Sequence, residues 1–522
     1  MLAELFAADP DVCTWHLTEA ALGPDEQVAA QVEAAADRVL QRGDAVAAVR
    51  ALIRAAELSP EGPARARRLS GAAYVGASDV GALASSAALL RQARVADPSQ
   101  EDSLSSAVAA AFLMVNSDGD IDTAHLLLVA ALDAHPAGSA DHVVEEALNT
   151  LSMLCFNSGR RDWWESLQAA VQRHSATLAP AFVLMAATVA DPARVSGGVL
   201  EQIDQAVADL PQHPDPVHVQ RVFFAATFVD RVDGCRTALP RVISESAGDE
   251  ESVPAFSSMV LVSLAEFATG SWEDARRHAD RGVELADRLG YTMLRWAGWY
   301  VQALLAAARG EDAQTEAVLA QMGQWAIPRG VLMVKRYMAH VAGLAALGRG
   351  DYESAFHSCA AISPPGTFVS HEPFALWVVM DLVEAAERTG RHGAALAHVT
   401  AAQAERSVVG REVEFMERFV GGQLDGVAGR LARLDNGVTD GEVGVGGDVP
   451  ALGAVLRQPV VMRSHVVDPG EVGRAVEGDQ RPGGLCVAQV AVGRHHLLQR
   501  RVRRLLTLAG PGGDEFEAAV DP

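Results

Sequence analysis

Apolar residues recur along most of the chain at the spacing of one helix face. In residues 293–307 they occupy offsets 0, 3, 4, 7, 10, 11 and 14, and residues 334–345 repeat the pattern. This period of about 3.6 residues predicts amphipathic helices. Before residue 410 the sequence has no alternation of apolar and polar residues long enough to predict a sheet. The pattern therefore predicts an all-α protein.

Glycines interrupt these helical stretches at a regular period. The clearest four are forty residues apart: Gly270, Gly310, Gly350 and Gly390. Less regular turns precede them, at Gly43, residues 76–81, Gly119, Gly159, Gly197, Gly198 and Gly234. A glycine commonly ends a helix in the left-handed conformation, and a fixed period in this range is typical of stacked helical hairpins. We predict a tetratricopeptide-repeat-like (TPR-like) α-solenoid of about ten helical hairpins over residues 10–405.

Composition narrows the possible partners and compartment. The formal net charge of −24 argues against direct nucleic-acid contact, because phosphate binding needs clustered Lys and Arg. The five cysteines are widely spaced, as expected of reduced thiols. The sequence starts without a basic, apolar signal region, and no uncharged stretch reaches the roughly 18–20 residues of a membrane span. We expect a cytoplasmic protein without a membrane partner.

The sequence contains none of the common catalytic or metal-binding motifs. Lys335, the only lysine, follows no glycine loop, so we expect no ATP site and no cofactor. The acidic residues 116–122 resemble a calcium loop, but Gly119 is not at the position that an EF-hand requires, which favours helix capping. His495 and His496 lack a second ligand pair at the spacing of a zinc site. We predict no catalytic residue and no metal site, and we do not expect an enzyme.

A group of aromatic residues lies within the repeat region: Trp296, Trp299, Tyr300, Trp325 and Tyr337. Trp299 is off the apolar face of its helix and could therefore face the concave side of a solenoid, where aromatic residues bind peptides or small effectors. Trp299 and Trp325 are the candidate ligand- or partner-binding residues. The alternative is that the group fills the core between hairpins, because Trp296, Tyr300 and Tyr337 lie on the apolar faces.

Residues 14–70 contain a series of short motifs. They are Thr14-Trp15-His16-Leu17, Gly23-Pro24-Asp25, Arg42-Gly43-Asp44, Arg54-Ala55-Ala56-Glu57-Leu58-Ser59-Pro60 and Arg67-Arg68-Leu69. This segment resembles the stretch that follows the ATPase module in large ATP-binding LuxR-type transcriptional regulators of actinobacteria. The motifs Gly270-Ser271-Trp272 and Gly350-Asp351-Tyr352 resemble the helical arm of the same family. The resemblance covers residues 10–405, with the first segment the more specific part.

The resemblance implies a helical sensor arm, which in this family lies between a nucleotide-binding switch and a DNA-binding helix-turn-helix. The sequence contains the motifs of neither domain. We therefore expect the non-catalytic, effector- or partner-binding arm of a truncated LuxR-type regulator. A free-standing TPR-like scaffold that binds a protein partner is the alternative. An ATPase reading frame upstream and a helix-turn-helix frame downstream would favour the first of these.

Composition changes sharply near residue 410. Residues 411–522 hold 19 of the 46 glycines, and stretches such as 441–447 have neither a helical period nor a clean alternation. We expect residues 1–410 to form the helical-repeat domain and residues 411–522 to be a Gly/Val-rich tail that is disordered or off-frame. A flexible linker is the functional interpretation of this tail, and off-frame translation of GC-rich DNA is the other. Its basic run, residues 500–504, is interpreted as a solvated segment.

Overall fold

A computed structural model describes residues 16–18, 20–42, 44–100, 103–117, 119–136, 142–213, 216–229, 231–238, 253–372 and 374–404. Gly43 and residues 411–522 lie outside these segments, so the turn expected at Gly43 and the interpretation of the tail stay predictions.

Every regular element in these segments is a helix, and none is a strand, which confirms the all-α prediction. The α-helices are α1 (Glu26–Gln41), α2 (Ala45–Leu58), α3 (Gly62–Val75), α4 (Leu83–Ala96), α5 (Leu104–Ser117), α6 (Ile121–Ala134), α7 (His142–Ser158), α8 (Arg161–His174), α9 (Pro180–Ala190), α10 (Gly197–Asp209), α11 (Pro216–Phe228), α12 (Val253–Thr269), α13 (Trp272–Leu289), α14 (Arg295–Arg309), α15 (Asp312–Ala326), α16 (Leu332–Arg349), α17 (Tyr352–Ile362), α18 (Val379–Arg388) and α19 (His392–Ala404). A π-helical turn, Gly76–Val80, follows α3.

Aspartates begin several of these helices by accepting hydrogen bonds from backbone N–H groups that lack an intrahelical partner. Asp25 accepts from Gln27 and Val28 at the start of α1. The Asp120 carboxylate accepts from the Thr123 N–H at 3.1 Å at the start of α6. The capping interpretation of the calcium-like segment is therefore confirmed at Asp120.

Left-handed glycines end most helices between residues 270 and 350. The four predicted turn glycines, Gly270, Gly310, Gly350 and Gly390, all have positive φ, between 72° and 87°. Gly290 and Gly330 have the same conformation, so the true spacing is twenty residues, one glycine per helix, and the forty-residue period marks pairs of helices. Gly197 and Gly198 instead begin α10, because Ser196 caps that helix.

Neighbouring helices pack in pairs, such as α1 with α2, α3 with α4, α12 with α13 and α16 with α17. A second set of contacts joins α3, α5, α7, α9, α11, α12, α14, α16 and α18 in one continuous series. Along this series the core includes fully buried side chains such as Leu148, Leu151 and Val341. Each of these pairs therefore packs within itself and also contacts the pairs beside it.

Ion pairs between successive helix pairs recur beside the left-handed glycines. In each of them an arginine adjacent to a glycine bonds a carboxylate 36 to 38 residues earlier, at 2.6–3.1 Å: Arg160 with Asp122, Arg309 with Glu273, Arg349 with Asp312 and Arg391 with Glu353. The pairs are largely exposed, so each contributes little stability. Their recurrence shows that the same polar contact is repeated at the spacing of the helix pairs.

A third set of contacts joins segments far apart in the sequence. Helix α7 contacts α16, and the Trp296 Nε1–H donates to the Asn157 Oδ1 at 3.2 Å in the buried interior. The Tyr291 hydroxyl donates to the carbonyl of Ala77. These bonds tie the first half of the helical series to the second half, and no repeat in the sequence predicted them.

Candidate functional site

Three residues of the predicted aromatic group form one buried cluster with Phe374. Tyr337 is central to it: its ring centroid is 4.6 Å from that of Trp296, 4.4 Å from Tyr300 and 4.0 Å from Phe374. The Tyr300 hydroxyl hydrogen bonds with His340 Nδ1 at 2.8 Å. These rings fill the space between helices, in agreement with the core interpretation.

The two candidate binding residues, Trp299 and Trp325, are each 6% exposed. The guanidinium of Arg295 lies 5.5 Å from the Trp299 ring centroid, and that of Arg329 lies 5.5 Å from the Trp325 ring centroid. Such cation–π contacts use the ring faces that a ligand would stack on. The Trp299 side chain is therefore almost completely covered in this structure. Ligand binding by Trp299 or Trp325 stays a prediction.

A cleft of about 650 Å³ lies between α13 and the junction of α14 with α15. It is lined mostly by polar side chains: Arg276, Asp280, Gln302, Arg309, Glu311, Asp312 and Gln314, with Leu305, Ala306 and Ala313 completing the wall. The sequence showed no special residue type here. The available signal was the turn at Gly310, which brings the end of one helix and the start of the next to the same place.

Several charged groups of this cleft are paired, both between neighbouring helices and within α13. Glu273 accepts from Arg309 at 2.6 Å and from Arg276 at 3.0 Å, and the Gln302 amide donates to Asp280 at 2.8 Å. Charges of both signs therefore line the wall, and the lining contains no cysteine, serine or histidine. Such a wall suits a polar ligand or a peptide carrying both charges, because each charge on the ligand finds an opposite partner.

A second polar site lies where the segment between α17 and α18 contacts α8, α9 and α16. His371 Nδ1 donates to the Ala190 carbonyl at 2.7 Å, and its ring stacks on Trp164 with centroids 5.7 Å apart. Next to it, Glu372 is buried and forms an ion pair with Arg336. Its Oε1 atom has no hydrogen-bond partner within the described residues. Burial raises the pKa of Glu372 to about 7, although the charge and hydrogen bond of Arg336, the Phe374 N–H and the charge of Arg161 all favour the ionised form.

His371 has φ of 59°, an uncommon conformation for a residue other than glycine. The twenty-residue series of left-handed glycines, continued past Gly350, reaches position 370, and the chain has Ser370 and His371 there. The site was not predicted from the sequence. Two features of the sequence could have indicated it. One is this interruption of the glycine series, and the other is Glu384, which stands where the other repeats have Leu264, Leu304 and Leu344.

Other reactive groups are buried or dispersed. Cys155, Cys235 and Cys359 are buried free thiols, and burial raises the pKa of Cys155 and of Cys359, which leaves them protonated. In the described segments no three His, Cys, Asp or Glu side chains form a group suited to a metal ion. Among the helices of those segments, none combines the length and apolar character of a membrane span.

Comparison of the sequence with models of known protein families gives no match, and comparison with curated proteins gives no significant relative.

Proposed function

We propose that this chain is the effector- or partner-binding arm of a LuxR-type regulator, built as a non-catalytic, TPR-like α-solenoid. The observation that carries the proposal is the continuous series of packed helices from α3 to α18, in which each helix pair contacts mainly its neighbours. Repeat proteins of this kind present long side-chain surfaces on which partners bind. The sequence resemblance of residues 14–70 supplies the link to the regulator family.

The cleft between α13 and α15 is the binding place within this proposal. It is formed by two successive helix pairs, so a ligand there would contact both and would respond to their relative position. In the Arg309–Glu273 bridge the Arg309 side chain is 20% exposed and the Glu273 side chain is 70% exposed. Both charged groups are therefore accessible to a partner. A free-standing scaffold would bind its partner in the same cleft. The regulator arm and the scaffold therefore differ in the identity of the partner and not in the binding site.

The neighbouring genomic DNA provides the first test. An ATP-binding reading frame upstream and a helix-turn-helix frame downstream support the regulator arm. The ATP-binding module encoded there is then purified, and its binding to the full chain is measured by isothermal titration calorimetry. A micromolar or tighter Kd supports the proposal. The absence of both frames, or no binding by the module where its frame is present, would leave the free-standing scaffold.

Two adjacent arginines on α13 locate the binding place. Arg276 lines the cleft, whereas Arg277 does not, and both form exposed pairs within their own helix. We expect Arg276→Glu to weaken partner binding about tenfold, or about 1.4 kcal/mol, since it adds a like charge beside Glu273 and Asp280. The matched control, Arg277→Glu, should leave the Kd unchanged. Equal effects of the two variants would exclude the cleft while leaving the regulator assignment to the first test.

A further inference from the structure

Three histidines recur at the period of the helix pairs: His135, His174 and His213, each 39 residues after the one before it. All three are at the C-terminal end of the second helix of a pair. His135 directly follows α6, His174 is the last residue of α8, and His213 follows α10 after a short 3₁₀ turn. The C-terminal end of a helix carries a partial negative charge, which favours a cation there.

The structure brings the first two of these rings together. The ring centroids of His135 and His174 are 6.3 Å apart, and their planes are tilted by 43°. The His174 side chain is completely buried, whereas His135 is half-buried. Both ring nitrogens of His174 and the Nε2 atom of His135 are buried without a hydrogen-bond partner among the described residues. Buried polar atoms are costly unless a partner satisfies them, so these three nitrogens indicate a ligand.

The separation of the two rings limits what can connect them. A direct N–H···N hydrogen bond between the imidazoles would hold their centroids within about 5.5 Å. A metal ion bonded to one nitrogen of each ring at about 2.0–2.1 Å places the centroids about 5–6.5 Å apart. The observed 6.3 Å therefore excludes the direct bond and fits one atom bound between the rings. An ordered water fits the same separation, so a metal titration has to distinguish the two.

The electrostatic surroundings keep the imidazoles in the form that binds a metal. Burial lowers the pKa of His174, and the charge of Arg173 and the neighbouring His135 act in the same direction. A metal ion binds the neutral imidazole, so this direction favours binding. Arg173, the cation next to His174, donates to the Asp133 carboxylate at 3.0 Å and to the Leu132 carbonyl at 3.3 Å. Its charge is therefore largely compensated at the site.

We propose that His135 and His174 bind one divalent transition-metal ion of the zinc type between the ends of α6 and α8. Imidazole suits zinc and copper, whereas magnesium and calcium prefer oxygen ligands. Zinc is usually four-coordinate, so water at the half-buried His135 completes its shell. The two ligands are 39 residues apart, so the short spacings of zinc motifs do not reveal them. The ion ties two successive helix pairs together, on helices other than those of the cleft.

Titration of the full chain with Zn²⁺, followed by calorimetry and thermal unfolding, tests the site. Zn²⁺ should raise the Tm of the wild type, and Mg²⁺ at the same concentration should not. His174→Phe keeps a buried ring and removes both nitrogens. It should weaken the Kd for Zn²⁺ by at least about tenfold and abolish the rise in Tm. The matched control is His398→Phe: His398 is also completely buried, but it stacks on Phe368, so this variant should keep the wild-type response.

His135→Gln is a second variant, at the half-buried position, and keeps the test decisive even if His174→Phe does not fold. It should lose the Zn²⁺ response as well, and the double variant should lose no more than either single variant, because both rings hold the same ion. An unchanged Zn²⁺ response in either single variant, or losses that add in the double variant, would overturn the metal site and leave an ordered water between the rings.

Discussion

At the scale of the residue, backbone conformation sets where helices end. At Gly310, φ is +72° and an added Cβ would meet no atom within 4 Å, so only backbone strain opposes a side chain there. His371 adopts the same region of conformational space and is compensated by its stack and hydrogen bond. The glycine turns are therefore required by chain geometry, whereas His371 is tolerated because of its surroundings.

Gly310→Ala should lower the free energy of unfolding by about 1 kcal/mol, because alanine is strained at positive φ. Gly393→Ala is the matched control: this glycine lies in α19, has open space around its Cα and does not have positive φ. The control should raise stability by up to about 1 kcal/mol, since alanine is the better helix former. Urea unfolding of both variants measures the two changes. Equal effects would contradict the assignment of Gly310 as a strain-determined turn.

At the scale of the element, a buried arginine joins α3 to α1. The Arg68 side chain is 1% exposed and bonds Glu33 at 2.9 Å, Glu26 at 2.7 Å and Ser59 at 2.6 Å. The hydrogen bond from Arg68 holds the pKa of Glu26 below its ordinary value. The guanidinium is thus fully paired, as a buried charge must be. The neighbouring Arg67 also bonds Glu33, but its side chain is 43% exposed.

Arg68→Met should lower the free energy of unfolding by about 2–3 kcal/mol at pH 7. This loss is smaller than that for breaking a fully buried ion pair, because the Glu26 carboxylate reaches water. Arg67→Met, of the same chemistry, should cost less than about 1 kcal/mol. The pKa values of Glu26 and Glu33 are lowered in the folded state. The extra free energy of unfolding of wild type over Arg68→Met is therefore fully present above the ordinary pKa of these carboxyls. It shrinks as the pH falls through the lowered values. Denaturant unfolding at pH 7 and pH 4 checks both points; a difference that grows on acidification would contradict them.

At the scale of the whole described region, long-range bonds make the two halves of the helical series interdependent. Tyr291 is completely buried and its hydroxyl donates to Ala77, 214 residues earlier. Trp296 and Asn157 make a similar buried bond. A simple one-dimensional repeat protein loses stability locally when one unit is weakened. Here the cross-contacts should spread the loss to both halves.

Tyr291→Phe leaves the buried Ala77 carbonyl without its donor, and should cost about 1–2 kcal/mol. Hydrogen exchange should show faster opening both around residues 76–80 and around residues 291–309. Tyr352→Phe, at a partly exposed position, should change stability by less than about 0.5 kcal/mol. Loss of protection confined to the second half would show that the halves open independently.

The sequence by itself determined the helical class, the turn glycines from Gly270 to Gly390 and the cap at Asp120. Apolar periodicity, positive φ at glycine and aspartate caps are local properties, which act between residues a few positions apart. Only the tertiary structure decided which faces meet: it buried Trp299 beside Arg295, placed Glu372 against Arg336, and formed the cleft at α13–α15. These outcomes depend on contacts such as Trp296 with Asn157, which are 139 residues apart. Burial and charge pairing at that separation follow from how the helices pack, and these long-range contacts have no periodic trace in the chain.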